Sequence, residues 1–185
     1  MIPAREVSDV VIVDAVRTPM GKGKPGGALA GLHPVDLLAQ TLTGLLDRTG
    51  LDPATVDDVL IGCVSQVGEQ SATPGRMAWL AAGLPEHVPA TTIDRKCGSG
   101  QQAVHFAAQA IMAGSYDIAV AGGVESMSRV RMGSARLDAD PYGHGVADRY
   151  SPGLVSQGVA AELVAAKWKL DRAELDEYSA RSHHR

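Results

Sequence analysis

Apolar and polar positions recur along the chain with two alternating periods. Val10–Val16, VVIVDAV, is short, β-branched and almost continuously apolar, the pattern of a strand buried on both faces of a parallel sheet. A loop dense in Gly and Pro, RTPMGKGKPGG, ends it. HPVDLLAQTLTGLLDRTG then repeats apolar residues at Leu37, Leu38, Leu42, Leu45 and Leu46, which predicts an amphipathic helix with Pro34 in its first turn and Gly50 at its stop. DDVLIGCV reads as a second strand, PGRMAWLAAG as a short helix closed by Gly83, and PATTID as a third strand. Helical spacing returns at Ala103, Val104, Ala107, Ala108 and Ile111, and YDIAVAGG supplies a fourth strand ending in paired glycines. Strand and helix in regular alternation predict an α/β fold, a mostly parallel sheet with helices on both faces.

From Ser126 the texture changes. SMSRVRMGSARLDADPYGHGVADRYSPG is polar, glycine-rich and without period, an excursion from the sheet rather than another unit of it. Two helices follow. Ser156 can cap QGVAAELVAAKWKL, and Asp171 with Glu174 has capping-box spacing at the start of RAELDEYSARSHHR. No Gly, Asn or Pro follows Arg181, so the last helix carries no stop signal and is expected to be cut in its middle.

Composition narrows the function classes. The 185 residues are 45% apolar with a net charge of −4, enough for a real core and with no electrostatic attraction to nucleic acid or an anionic membrane face. The start of the chain, with Arg5, Glu6 and Asp9 before a short apolar run, does not fit a signal peptide or a span of roughly twenty apolar residues. Two cysteines, Cys63 and Cys97, form neither a disulfide framework nor a metal-ligand spacing, which points to a reducing compartment, the cytosol.

Cys63 lies among residues that a parallel strand would bury and reads as structural. Cys97 differs. It stands where TTI gives way to a helix, near the unpaired N–H groups and positive end of that helix, a position that favours the thiolate. Gly98 and Gly100 clear side chains from the first turn, so a substrate can approach the backbone N–H groups. CGSGQ lacks the Lys-Ser/Thr end of a P-loop and the third glycine of a dinucleotide fingerprint. A nucleophile with an oxyanion donor in its own backbone is what acyl transfer needs, and the rival reading is a Cys packed under a helix. None of His33, His87, His105, His144, His183 and His184 is placed as its base. Asp94, Arg95 and Lys96 read most simply as loop charges.

RTPMGKGKPGGALAGLHPVDLLAQTL, GCVSQVGEQ, DRKCGSGQQAV, DIAVAGGVESMSRV and QGVAAELVAAKWKLDRAELDEYSARSH together resemble the thiolase family, acetyl-CoA acetyltransferases and 3-ketoacyl-CoA thiolases, from about Val11 onward. The resemblance implies a thiolase-like layered α/β fold, with residues 1–125 as the N-terminal α/β domain and 126–185 as part of an inserted loop domain that covers coenzyme A. It implies that Cys97 carries the acyl group, that Met127 and Ser128 line the acyl end or support the nucleophile, and that Ser156 and Gln157 contact pantetheine. Coenzyme A is then a co-substrate with no covalently bound cofactor or metal, and the assembly a homo-dimer or tetramer. Glu125 is expected to satisfy backbone groups beneath the loop. Asp94 stands where many thiolases have Asn, and Gln101-Gln102 where LQ is usual. The G-H-P and N-E-A-F motifs and the second cysteine of the family's second half are not among these 185 residues, so the chain alone is expected to lack its base. Two other readings share features with this one: a decarboxylating ketoacyl synthase, and a non-enzymatic acyl-CoA binding or assembly module.

Overall fold

A computed structural model describes residues 9–151 and 153–184, so the charged start at Arg5 and Glu6, and Arg185, lie outside the described residues. These residues fall into two compact units that divide between Asp138 and Ala139.

The first unit is built on three parallel strands, β1 (Asp58–Gly62), β2 (Ala90–Ile93) and β3 (Ala119–Gly123), in the order β2-β1-β3. β1 lies in the middle because its DVLIG sequence suits burial on both faces, and Val59, Leu60 and Ile61 are all buried. Alternation then sorts them. Val59 and Ile61 join a core with Leu38, Leu42 and Leu46 of α1 (Pro34–Thr49) and Ala78 and Trp79 of α2 (Pro74–Ala81). Leu60 faces the other way, onto Ala103 and Ala107 of α3 (Ser99–Met112). Helices therefore cover both faces, as the alternating pattern predicts. Trp79 is fully buried with its indole N–H donating to the Pro85 carbonyl at 2.9 Å, a burial that stabilises by on the order of 3 kcal/mol. α2 can lie this close to β1 because residue 75 is glycine: a Cβ there would stand 2.5 Å from Ile61 Cγ1.

Local signals act where the sequence puts them. α1 starts at Pro34 with His33 Nδ1 accepting from the Val35 N–H, and stops at Gly50, whose φ of 62° is the left-handed C-cap. One expectation fails. Val10–Val16 forms no strand, and Val11, Ile12 and Val13 are 76%, 77% and 82% exposed. An apolar run states a preference for burial, but a strand also needs an edge to pair with, and none of the three described strands pairs with it. The segment is tied instead through Asp14, whose Oδ1 accepts from Arg48 at 3.0 Å.

The second unit contains α4 (Gly143–Arg149), α5 (Gln157–Trp168) and α6 (Arg172–His184). α4 is a further difference from the sequence reading, which saw no period there. Its GHGVADR composition is poor in helix formers. Ser156 caps α5 by accepting from the Val159 N–H, and the capping box of α6 is reciprocal: the Asp171 N–H donates to Glu174 and the Glu174 N–H to Asp171, both at 2.9 Å. No helix of the described residues is long and apolar enough to cross a membrane.

Candidate active site

The carboxyl ends of the three strands are in register: Gly62 of β1 is level with Ile93 of β2 and Gly123 of β3. From Ile93 the chain enters a turn, residues 94–98, and then α3, which places Cys97 just before the N-terminus of a 14-residue helix. Cys97 is free and exposed. The sequence expectation of a cysteine at the strand-to-helix turn, beside the positive end of the helix dipole, is met in place.

The turn is held by its own side chains. Asp94 Oδ1 accepts from the Lys96 N–H at 2.8 Å, and Asp94 Oδ2 pairs with Lys96 Nζ at 2.5 Å, a contact that holds the carboxyl below its ordinary range. Asp94 and Lys96 thus serve the loop's own geometry. Ser99, buried to 4% exposure, accepts from the Arg95 N–H at 2.8 Å and donates to the Lys96 carbonyl at 2.6 Å. Lys96 has φ of +49°, a left-handed conformation that non-glycine residues rarely adopt. Beneath it, the start of α3 rests on β1. A Cβ at Gly62 would stand 2.4 Å from the Ser99 carbonyl carbon and 2.5 Å from the Gly100 nitrogen.

Cys63, at the end of β1, is buried, and its thiol is pushed up to about 12, first by burial and then by the charge of Glu125. Its N–H donates to the Ile93 carbonyl at 3.0 Å. It is structural. Glu125 accepts from the N–H groups of Val64 at 2.9 Å and Ser65 at 3.3 Å, so it satisfies backbone at the end of β1 as expected. The hub of this region is a residue the sequence did not mark. Gln70, fully buried, donates to Glu125 at 2.8 Å and to the Ser65 carbonyl at 2.9 Å, while its Oε1 accepts from the Ser126 N–H at 2.8 Å. The available signal was its place in GCVSQVGEQ, one of the stretches that carry the family resemblance, within which no role was given to it.

Met127 and Ser128 lie in the turn after β3, in the first unit with Cys97. Met127 is 40% exposed and packs on Gly23, where a Cβ would come within 3.0 Å of Met127 Cβ. Ser128 is half-buried. The same turn is anchored by Arg129, whose guanidinium takes both oxygens of Glu69 at 2.5 and 2.7 Å and the Ala30 carbonyl at 3.0 Å, holding the Glu69 carboxyl below its ordinary range. Ser156 and Gln157 belong to the second unit, at the N-cap and first residue of α5, and both are exposed. Of the histidines, His33 caps α1, the His87 ring contacts the Ala54 carbonyl at 3.1 Å, and His105, His144, His183 and His184 are exposed. No group of three His, Cys, Asp or Glu among the described residues is placed to hold a metal.

The family described as thiolase, N-terminal domain, matches residues 10–185. A steroid 3-ketoacyl-CoA thiolase of Mycobacterium tuberculosis is 49% identical, the match covering 97% of this chain and 46% of that protein. A 3-ketoacyl-CoA thiolase of Saccharophagus degradans is 45% identical over 95% of this chain and 44% of its own length. The crystal structure of the Bacillus anthracis acetyl-CoA acetyltransferase superposes with a TM-score of 0.70 at 34% identity, covering 88% of this chain and 43% of that one. The chain therefore spans just under half the length of the curated relatives it matches.

Proposed function

The chain belongs to the thiolase family through that family's N-terminal domain, and from this premise we propose that its residues carry the acyl-cysteine half of an acyl transfer between a 3-ketoacyl-CoA and coenzyme A. The observation that carries the reading is the placement of Cys97, a free and exposed thiol at the turn from β2 into the positive end of α3. The sulfur of Cys97 attacks the 3-keto carbon, whose oxygen takes the negative charge and is met by the Cys97 N–H. Collapse of that intermediate breaks the bond between carbons 2 and 3, leaving an acyl thioester on Cys97. The electron pair stays on carbon 2, which takes a proton as acetyl-CoA leaves. A second coenzyme A thiolate then displaces the acyl group; run backwards, the same steps form the carbon–carbon bond. The two proton transfers are work for a base, which by the family resemblance lies in motifs beyond those of this sequence.

Met127, Ser128, Ser156 and Gln157 are each proposed as contacts for coenzyme A or its acyl end. Two free cysteines, one of them exposed, support a reducing compartment, the cytosol. The assembly is proposed as a homo-dimer or tetramer, which sedimentation of the purified chain tests.

The deciding experiment is the intact mass of the folded chain before and after acetoacetyl-CoA, with Cys97→Ala beside it. One acetyl group on the wild type and none on the variant is the expected result. Equal labelling of both, or of neither, sinks the acyl-cysteine reading for this chain, and a malonyl-thioester requirement would favour a decarboxylating synthase instead.

A further inference from the structure

Beside the turn that presents Cys97, the first side chain of α3 is buried and spends its hydrogen bonds on that turn alone: Ser99. We propose that Ser99 is a positioning residue for Cys97, fixing the peptide between Lys96 and Cys97 so that the Cys97 N–H faces the substrate's carbonyl oxygen. The proposal rests on the acyl-cysteine reading above.

The geometry runs through a single peptide plane. The Lys96 carbonyl accepts twice from residue 99, from its hydroxyl at 2.6 Å and its N–H at 3.0 Å. A trans peptide is planar, with carbonyl and N–H pointing in opposite directions. Drawing the Lys96 oxygen in toward Ser99 therefore turns the Cys97 N–H outward, away from the interior of the turn. The turn's hydrogen bonds use the N–H groups of Arg95, Lys96, Gly98 and Ser99.

Holding this plane requires the left-handed Lys96, a conformation that persists when its neighbours over-determine it. They do so from both ends. Asp94 takes the Lys96 N–H and Ser99 takes the Lys96 carbonyl. Ser99 in turn has no room to sink, because its backbone and that of Gly100 already rest where any side chain at Gly62 would stand. A rigid strand, β1, thus supports the hydroxyl that sets the direction of one amide.

Two reagents separate positioning from general damage. Alkylation of Cys97 by iodoacetamide needs the sulfur but no oxyanion donor, whereas acetyl uptake from acetoacetyl-CoA needs both. In Ser99→Ala, alkylation is expected to stay within about twofold of wild type while acetyl uptake slows at least about tenfold, since misaiming an oxyanion donor is costly to the transition state. Ser99→Thr, which keeps the hydroxyl, is expected to recover most of the acetylation rate. Equal acetylation in wild type and Ser99→Ala overturns the positioning role and leaves the acyl-cysteine reading standing. Loss of both reactions in parallel, recovered by neither variant, also overturns it, because that is the signature of a damaged fold. No acetyl uptake by the wild type removes the acyl-cysteine reading and the positioning role together.

Discussion

The thiol of Cys63, pushed up to about 12 mainly by burial, follows β1, and that of Cys97 follows β2; the first is buried and the second exposed at a helix start. Iodoacetamide at neutral pH is therefore expected to modify Cys97 and spare Cys63 in the folded chain, and to modify both in urea, as peptide mass mapping would show. The burial has a linkage consequence. A group whose folded value lies above its unfolded one stabilises fully below the unfolded value and loses that contribution as pH rises through the folded one. The unfolding free energy is thus expected to fall from pH 9.0 toward about 12, and Cys63→Ala to flatten that slope. Denaturant midpoints across this range check it. Sequence reading reached both cysteines because each sits beside a strand with a legible apolar pattern. It gave no role to Gln70, whose carboxylate partner Glu125 lies 55 positions away, so that no local window contains both ends of that hydrogen bond. Ser99 escaped for the related reason that a serine between glycines reads as flexible loop until its hydroxyl is seen closed onto Arg95 and Lys96.

β1 and β3 are joined before they pair. Asp57 Oδ2 accepts from the N–H groups of Asp117 at 2.7 Å and Ile118 at 3.0 Å, and these backbone bonds hold its carboxyl below the ordinary value. For a depressed carboxyl the sign reverses: its contribution is present above the unfolded value and is lost as pH falls through the lower folded one. Asp57→Asn should cost about 1 kcal/mol at neutral pH, at the low end for a charged acceptor because the group is exposed, and should remove part of the decline in stability below pH of about 4. Urea midpoints of wild type and variant between neutral and acid pH measure both. Among elements, helices with caps and long periods were the legible ones: α1 through Pro34 and Gly50, α6 through its reciprocal box. Strands were legible only as apolar runs. DVLIG and VVIVDAV look alike in sequence, yet one is the centre of the sheet and the other is unpaired, because pairing is decided by neighbours and not by the run itself.

Over the whole molecule, the chain's fit to just under half of its relatives gives the exposed apolar residues a practical meaning. Val11, Ile12 and Val13 stand in solvent in this chain. Replacing all three with Thr is expected to raise solubility and to leave the unfolding free energy within about 0.5 kcal/mol of wild type, as surface changes do. A loss of several kcal/mol would show that the run is packed after all. The central place of β1 has one more consequence, in time. Its two neighbours lie after it in the chain, and the farther one, β3, follows by roughly sixty residues, which at roughly 5–20 residues per second of synthesis is a wait of about 3–12 s. For those seconds Val59, Leu60 and Ile61 emerge from the ribosome as a sticky strand with one edge unfilled. The sheet of the described residues is therefore completed late, from its middle outward, and a nascent chain of this sequence depends on whatever shields β1 until β3 arrives.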